Sequence, residues 1–416
     1  MRNIISYFRM FKKTFFLFFV PLFFVVSCDT TSDTPIVDPT RYLVSDQFNR
    51  TITQQQLAAF WALAGQSEAS TYALYDIDIY RIVYNTTGLD GRPVEASGAI
   101  MVPKGIENPR LLSVQHATIF NNDEAPSVDR PGVISVITRK ALFASMGYIT
   151  FLPDYLGYGV NAGMIHPYQH KESLATASYD MIMAGLEFIE KKNLQPSDFS
   201  VNMLGYSEGA YATLALAELA ETSESIFETG FISVGGGIYD LSSTIDYLLQ
   251  NINKPNECVP CYAYFIYVYH NIYDLPGTLS DYFKEPYDET ISGGLFGGGF
   301  SDSQIRAILP VNSKDLIRES FISEYLEGGF LELRNALQEN NIDYIPAATV
   351  LIAHGTADSV APVFNSDQFY ENALLAGKTN ITYIRTEGAN HSTGIFDWAI
   401  ETLEALDRRS KFAAIR

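Results

Sequence analysis

Apolar positions change their period along this chain, and the change predicts its layout. Residues 71–84 and 95–103 alternate or run apolar on either side of the turn Gly88-Leu89-Asp90-Gly91, the pattern of an antiparallel hairpin. From Leu111 onward short apolar runs take turns with longer helical ones. Residues 111–115 precede 133–146, residues 148–152 precede the amphipathic 173–192, and residues 199–204 precede 210–219. Such alternation predicts an α/β protein with a mostly parallel sheet and helices on both faces. The next strand is 231–235, after which the alternation stops until strands at 349–353 and 381–384. Between them, residues 241–346 hold the aromatic run Tyr262, Tyr264, Phe265, Tyr267 and Tyr269, the glycine-rich 293–300, and helical patterns over 303–339. An insertion between the sixth and seventh predicted strands sits above the carboxyl end of the sheet and reads as a helical cap. Its aromatics either offer an apolar underside to an acyl chain or aromatic acid, or form only the cap's own core. Gly293 to Gly299 either let a lid move or make a plain loop.

The first residues do not belong to this pattern. Arg2, Arg9, Lys12 and Lys13 precede apolar residues 14–26, which end at Ser27-Cys28. Basic, apolar, then small is the order of a secretory signal. The stretch is short for a membrane span, and Pro21 interrupts it. Val25-Val26-Ser27-Cys28 also resembles a bacterial lipobox, which implies lipidation of Cys28; the alternative is an ordinary signal with an incidental cysteine. Residues 29–42 are rich in Asp, Thr and Pro, as a flexible tether would be. The expected divisions are a signal at 1–27, a lipid-anchored tether at 28–42, a core at 43–240, the cap at 241–346 and the rest of the core at 347–416. An exported lipoprotein of the cell envelope follows, facing the periplasm or the cell surface and touching a membrane only through its anchor. The formal charge of −20 argues against nucleic acid and anionic lipid headgroups as partners.

Candidate chemistry centres on Gly205-Tyr206-Ser207-Glu208-Gly209, set between the strand 199–204 and the helix 210–219. G-x-S-x-G in that setting is a nucleophile elbow: the turn leaves no room for a Cβ on either side, and the serine hydroxyl stands above the sheet edge. A serine that merely caps a helix is the plainer alternative. A serine hydroxyl needs a base, and the base needs an orienting group. In this arrangement the chain order is Ser, Asp or Glu, His. Of the 6 histidines only His270, His354 and His391 follow Ser207. His270 lies in the aromatic run, and His354 closes the strand 349–353, where it reads as a residue fixing the turn. His391 sits in the loop before a C-terminal helix and is the expected base. Asp358 follows the strand 349–353 within His354-Gly355-Thr356-Ala357-Asp358 and is the expected acid, at a strand end where ligand sites gather.

These segments, with Pro153-Asp154-Tyr155-Leu156-Gly157-Tyr158-Gly159 and His166-Pro167-Tyr168, give the chain a resemblance to the secretory lipases and carboxylesterases of the α/β-hydrolase superfamily. The resemblance spans roughly residues 95–400 and implies the α/β-hydrolase fold. It also implies that Asp154 and Tyr155 support the site from the loop after the fourth predicted strand. Where many relatives carry His-Gly after the third strand, this chain has Gln115-His116-Ala117-Thr118. Backbone N–H groups of Ala117 or Thr118, together with that of Glu208, are the expected oxyanion donors.

Cys258-Val259-Pro260-Cys261 reads as a local disulfide in an oxidising compartment. His166 and His170 have zinc-like spacing, but Pro167 breaks a helix across them, so no metal and no cofactor are expected. The expected activity is carboxylic-ester hydrolysis on a small-molecule or lipid ester through an acyl-enzyme. A peptidase or acyltransferase with the same triad, or a binding lipoprotein that kept only the fold, are the alternatives.

Overall fold

The computed structural model describes residues 42–128 and 136–413; the signal, Cys28 and nearly all of the tether lie outside the described residues. One sheet of nine strands runs through the molecule in the order β1-β2-β3-β5-β4-β6-β7-β8-β9. Its members are β1 (Leu43–Ile52), β2 (Ile77–Thr87), β3 (Pro93–Pro103), β4 (Arg110–Gln115), β5 (Tyr148–Pro153), β6 (Ser200–Tyr206), β7 (Glu228–Gly235), β8 (Val350–Gly355) and β9 (Ile381–Thr386). The first three are antiparallel and join the rest through the antiparallel pair β3–β5; all later pairs are parallel.

The sequence pattern misses β1, so the long insertion falls between the seventh and eighth strands rather than the sixth and seventh. The reason is physical. Strand β1 is an edge strand with mostly polar, partly exposed residues, and charges on such edges discourage further pairing. It is held from outside the strand alternation: the Glu187 carboxylate accepts the N–H groups of Tyr42 (2.9 Å) and Leu43 (2.8 Å). Lys192 also pairs with Asp46 at 2.7 Å. The start of β2 likewise lies at Ile77, not 71, because α1 (Gln54–Leu63) and the short α2 (Ser67–Ser70) occupy the approach.

Successive residues of the central strands enter two different cores. Leu111, Ile149, Met203, Ile232 and Ile352 belong to one apolar cluster; Leu112, Tyr148, Leu204, Phe231 and Leu351 belong to the other. That is the period of a strand buried on both faces. The first face is covered by α4 (Lys171–Lys191) and α5 (Glu208–Thr222). The second is covered by α1, α3 (Val136–Ser145) and a C-terminal helix beginning at His391. Between β7 and β8 the chain is helical, with α6 (Leu241–Gln250), α7 (Val259–Ile272), α8 (Tyr287–Thr290), α9 (Asp302–Ile308), α10 (Ser313–Leu316), α11 (Glu319–Leu326) and α12 (Leu331–Glu339). The helix α13 (Phe364–Leu375) then links β8 to β9, and α14 (His391–Ala413) ends the described chain. Among the described residues no helix is long and apolar enough to cross a membrane.

Candidate active site

Ser207 occupies the turn between β6 and α5 with φ of 59°, a left-handed conformation that non-glycine residues rarely adopt. Two close backbone approaches impose it. A Cβ on Gly205 would strike the Gly209 carbonyl, and one on Gly209 would strike the carbonyl of Gln115 at the end of β4. The serine N–H donates to the Gly235 carbonyl at 2.8 Å, which ties the turn to the neighbouring strand.

Asp358 lies beyond the end of β8 and is buried. One carboxylate oxygen accepts the N–H groups of Val360 (2.9 Å) and Ala361 (2.8 Å). The other is 2.6 Å from His391 Nδ1 and 3.4 Å from His354 Nε2. Burial by itself would raise the pKa of this carboxyl; hydrogen bonds and charge from His354 and His391 outweigh it and bring it down to about 2. His354 is buried as well, with Nε2 2.8 Å from the Ala361 carbonyl and Nδ1 2.7 Å from Ser366 Oγ, so it braces the acid's turn.

His391 is the first residue of α14, one step past the loop expected from the sequence. Its Nδ1 faces the Asp358 carboxylate, and Nε2 stands 2.9 Å from Ser207 Oγ. A carboxylate at Nδ1 favours the tautomer with its proton there, which leaves the Nε2 lone pair directed at the hydroxyl. Tyr206, next to the serine, fixes the same residue from below: its hydroxyl donates to the His391 carbonyl at 2.7 Å.

The other expected residues fall around this centre in different roles. The N–H of Glu208 belongs to the first position of α5, where the helix supplies no acceptor. The backbone of Gln115 and His116 is pressed against Gly209, which brings the segment carrying Ala117 and Thr118 to the elbow. Tyr155 supports that segment by donating its hydroxyl to the His116 carbonyl at 3.2 Å. Asp154 has no direct bond to the triad residues. Its carboxylate accepts from the Ser97 hydroxyl (2.6 Å) and the Ser127 N–H (2.7 Å), and burial raises its pKa. Cys258 and Cys261 are joined in a disulfide. His170 caps α4, while the ring nitrogens of His166 face the Leu156 carbonyl and Glu208.

Two side-chain contacts at the site were not expected from the sequence. His166 and the Glu208 side chain are both buried, with Nε2 2.7 Å from Oε1 and the other ring nitrogen 2.8 Å from the Leu156 carbonyl. The pair anchors the residue after Ser207 to the loop that follows β5. Glu257, in the insertion, reaches both the turn after Asp358 and the start of α14. Its carboxylate accepts the His391 N–H (3.0 Å) and the Ser392 hydroxyl (3.2 Å), while its own N–H donates to Ser359 Oγ (3.0 Å). Only the fold brings a residue from before α7 to the start of α14, so sequence spacing offers no sign of it. Glu257→Ala is expected to lower kcat by about tenfold or more through misplacement of the imidazole, with KM little changed. Glu257→Gln should recover most of the loss, since its amide oxygen can still accept from His391. Steady-state kinetics on both variants checks this; an alanine variant with undiminished kcat contradicts it.

A family profile described as secretory lipase matches residues 312–413, the stretch that carries Asp358 and His391. No curated protein matches the sequence. Among solved structures the chain is similar to a Legionella pneumophila protein with a provisional hydrolase assignment, at 22% identity, 88% of this chain and 98% of that one covered, and TM-score 0.78. It is similar to the rice cell wall degrading esterase LipA from Xanthomonas oryzae, at 22% identity, 88% and 96% coverage, and TM-score 0.74. Candida antarctica lipase A in its closed state is more distant, at 18% identity, 85% and 78% coverage, and TM-score 0.60. At these identities the structures bear on the fold, and they bear out the α/β-hydrolase architecture. The family match bears on the chemistry. The chain has the α/β-hydrolase fold, and its residues 312–413 are similar to the secretory lipases, a family named for ester cleavage and export.

Proposed function

We propose that the protein hydrolyses esters in two steps through an acyl-enzyme on Ser207, with His391 as base and Asp358 as its orienting acid. The observation that carries this reading is the unbroken chain from Ser207 Oγ to His391 Nε2 (2.9 Å) and from His391 Nδ1 to the Asp358 carboxylate (2.6 Å). As Oγ attacks the ester carbonyl, its proton passes to Nε2, and the buried carboxylate stabilises the imidazolium that forms. The carbonyl oxygen becomes an oxyanion beside the N–H of Glu208 and that of Ala117 or Thr118. Each such donor contributes roughly 3 kcal/mol in sites of this kind. The proton on Nε2 then goes to the leaving alcohol. Water, activated by the same nitrogen, attacks the acyl-enzyme and releases the acid.

The test is a side-by-side panel of p-nitrophenyl esters, dipeptide amides, and an ester with a competing alcohol acceptor. Hydrolysis of the esters should dominate by orders of magnitude in kcat/KM. Faster cleavage of the amides, or acyl transfer to the added alcohol in preference to water, contradicts the reading.

A further inference from the structure

We infer that His166 is a positioning residue for ester cleavage: it shares one proton with the Glu208 carboxyl, so that the group beside the oxyanion site carries no net charge. This rests on the ester-hydrolase reading above and adds a requirement to it. Glu208 is the first residue of α5, and its N–H is one of the two expected oxyanion donors. Its side chain is fully buried, at 0% exposure, where an ionised carboxyl without a counter-charge is costly. A bare carboxylate there would also oppose the reaction. It would draw on the same positive helix end as the oxyanion, and in a dry site the two negative charges would repel each other.

The hydrogen bonds fix the proton count of the pair. The Leu156 carbonyl only accepts, so His166 Nδ1, 2.8 Å away, carries a proton. A second proton has to lie in the 2.7 Å contact between Nε2 and Glu208 Oε1, because two lone pairs would repel at that distance. On either atom the sum is the same. Imidazolium with carboxylate and imidazole with carboxylic acid are both neutral. Glu208 Oε2 is buried without a partner among the described residues, so His166 makes the hydrogen bond that this carboxyl has there.

The surroundings offer no other cation in contact. Besides His166, the titratable groups facing Glu208 are His116, Tyr155, Tyr158, Tyr168 and Tyr264. Tyr158 and Tyr155 lie against the His166 ring, at centroid distances of 4.7 Å and 5.9 Å, and their hydroxyls donate to the Ile119 and His116 carbonyls. His116 makes its contacts elsewhere: its ring nitrogens face the carbonyls of Ala117 (2.8 Å) and Asp154 (3.2 Å), and burial pushes its pKa down.

His166→Gln separates bonding from charge. The glutamine NH₂ can still donate to Glu208 Oε1, so the anchorage survives, but it brings no proton to share. At mildly alkaline pH, kcat on p-nitrophenyl butyrate should fall by about tenfold or more, with KM within about threefold of wild type. Adding Glu208→Gln, which cannot ionise, should restore most of the loss. Undiminished kcat in His166→Gln, or a double variant no faster than the single one, overturns the assignment; a role in packing alone gives the second result. Should His166→Gln not fold, Glu208→Gln alone decides. Its NH₂ can donate to His166 Nε2 and the pair stays neutral, so it should keep more than about a tenth of wild-type kcat, and a lower value overturns the assignment. Fluorophosphonate labelling of wild-type Ser207 separates this from the wider reading. A labelled serine with undiminished kcat in His166→Gln rejects the shared proton alone, whereas an unlabelled serine rejects the ester-hydrolase mechanism.

Discussion

Ser207→Ala is expected to lower kcat on p-nitrophenyl butyrate by up to about 10⁶-fold while the protein keeps its thermal unfolding midpoint. The loss follows from the mechanism, because no acyl-enzyme can form without Oγ. Unchanged stability follows from the geometry. The backbone at 207 is held by Gly205, Gly209 and the bond to Gly235, none of which involves the hydroxyl. Alanine meets the same left-handed φ as serine, so the turn is no more strained than before. Residual hydrolysis within tenfold of wild type would show that another group performs the attack.

Asp358→Asn is expected to cost about 10⁴-fold in kcat, for a reason that lies in its hydrogen bonds. The amide oxygen can take over the N–H groups of Val360 and Ala361, which fixes the orientation of the side chain. Its NH₂ then points at His391 Nδ1 as a donor, where the carboxylate was an acceptor. The imidazole must answer with the proton on Nε2, and an N–H directed at Ser207 cannot serve as a base. The same substitution changes stability against acid. An unfolded aspartate titrates near about 4, whereas Asp358 in the fold is down to about 2. Its contribution is therefore complete above the unfolded value and is lost as pH falls from about 4 toward 2. That contribution is on the order of 2 kcal/mol. Denaturant unfolding at a series of acidic pH values should show this loss in the wild type and not in the variant. Parallel curves would mean that the carboxyl is not held in its ionised form.

The sequence was informative where chemistry and backbone geometry coincide. Gly205 and Gly209 each face a backbone carbonyl that would meet a Cβ, so the elbow is written in the residues themselves. The strand-end addresses of Asp358 and His391 followed from the strand–helix period, since β8 and β9 are short apolar runs. Strand β1 was not legible, because its polar residues obey its edge position and its anchorage comes from Glu187 on a distant helix. Glu257 was hidden for a related reason: its partners are a backbone N–H and serine hydroxyls on other loops, contacts that leave no periodicity. Asp154 was read as support for the site; its carboxylate joins β3 to the turn at Ser127, and its carbonyl lies 3.2 Å from His116 Nε2, contacts that no motif announces. Tyr155 does reach the segment at His116, through its hydroxyl.

The central claim is that one serine is made nucleophilic by the histidine and carboxylate assembled beside it. Peptide mapping after brief exposure to a fluorophosphonate probe tests it most directly, because an ordinary hydroxyl does not react. The account predicts a single phosphonylated site, Ser207, formed rapidly in the wild type and far more slowly in Asp358→Asn. No adduct, or an adduct on a different serine, would contradict it.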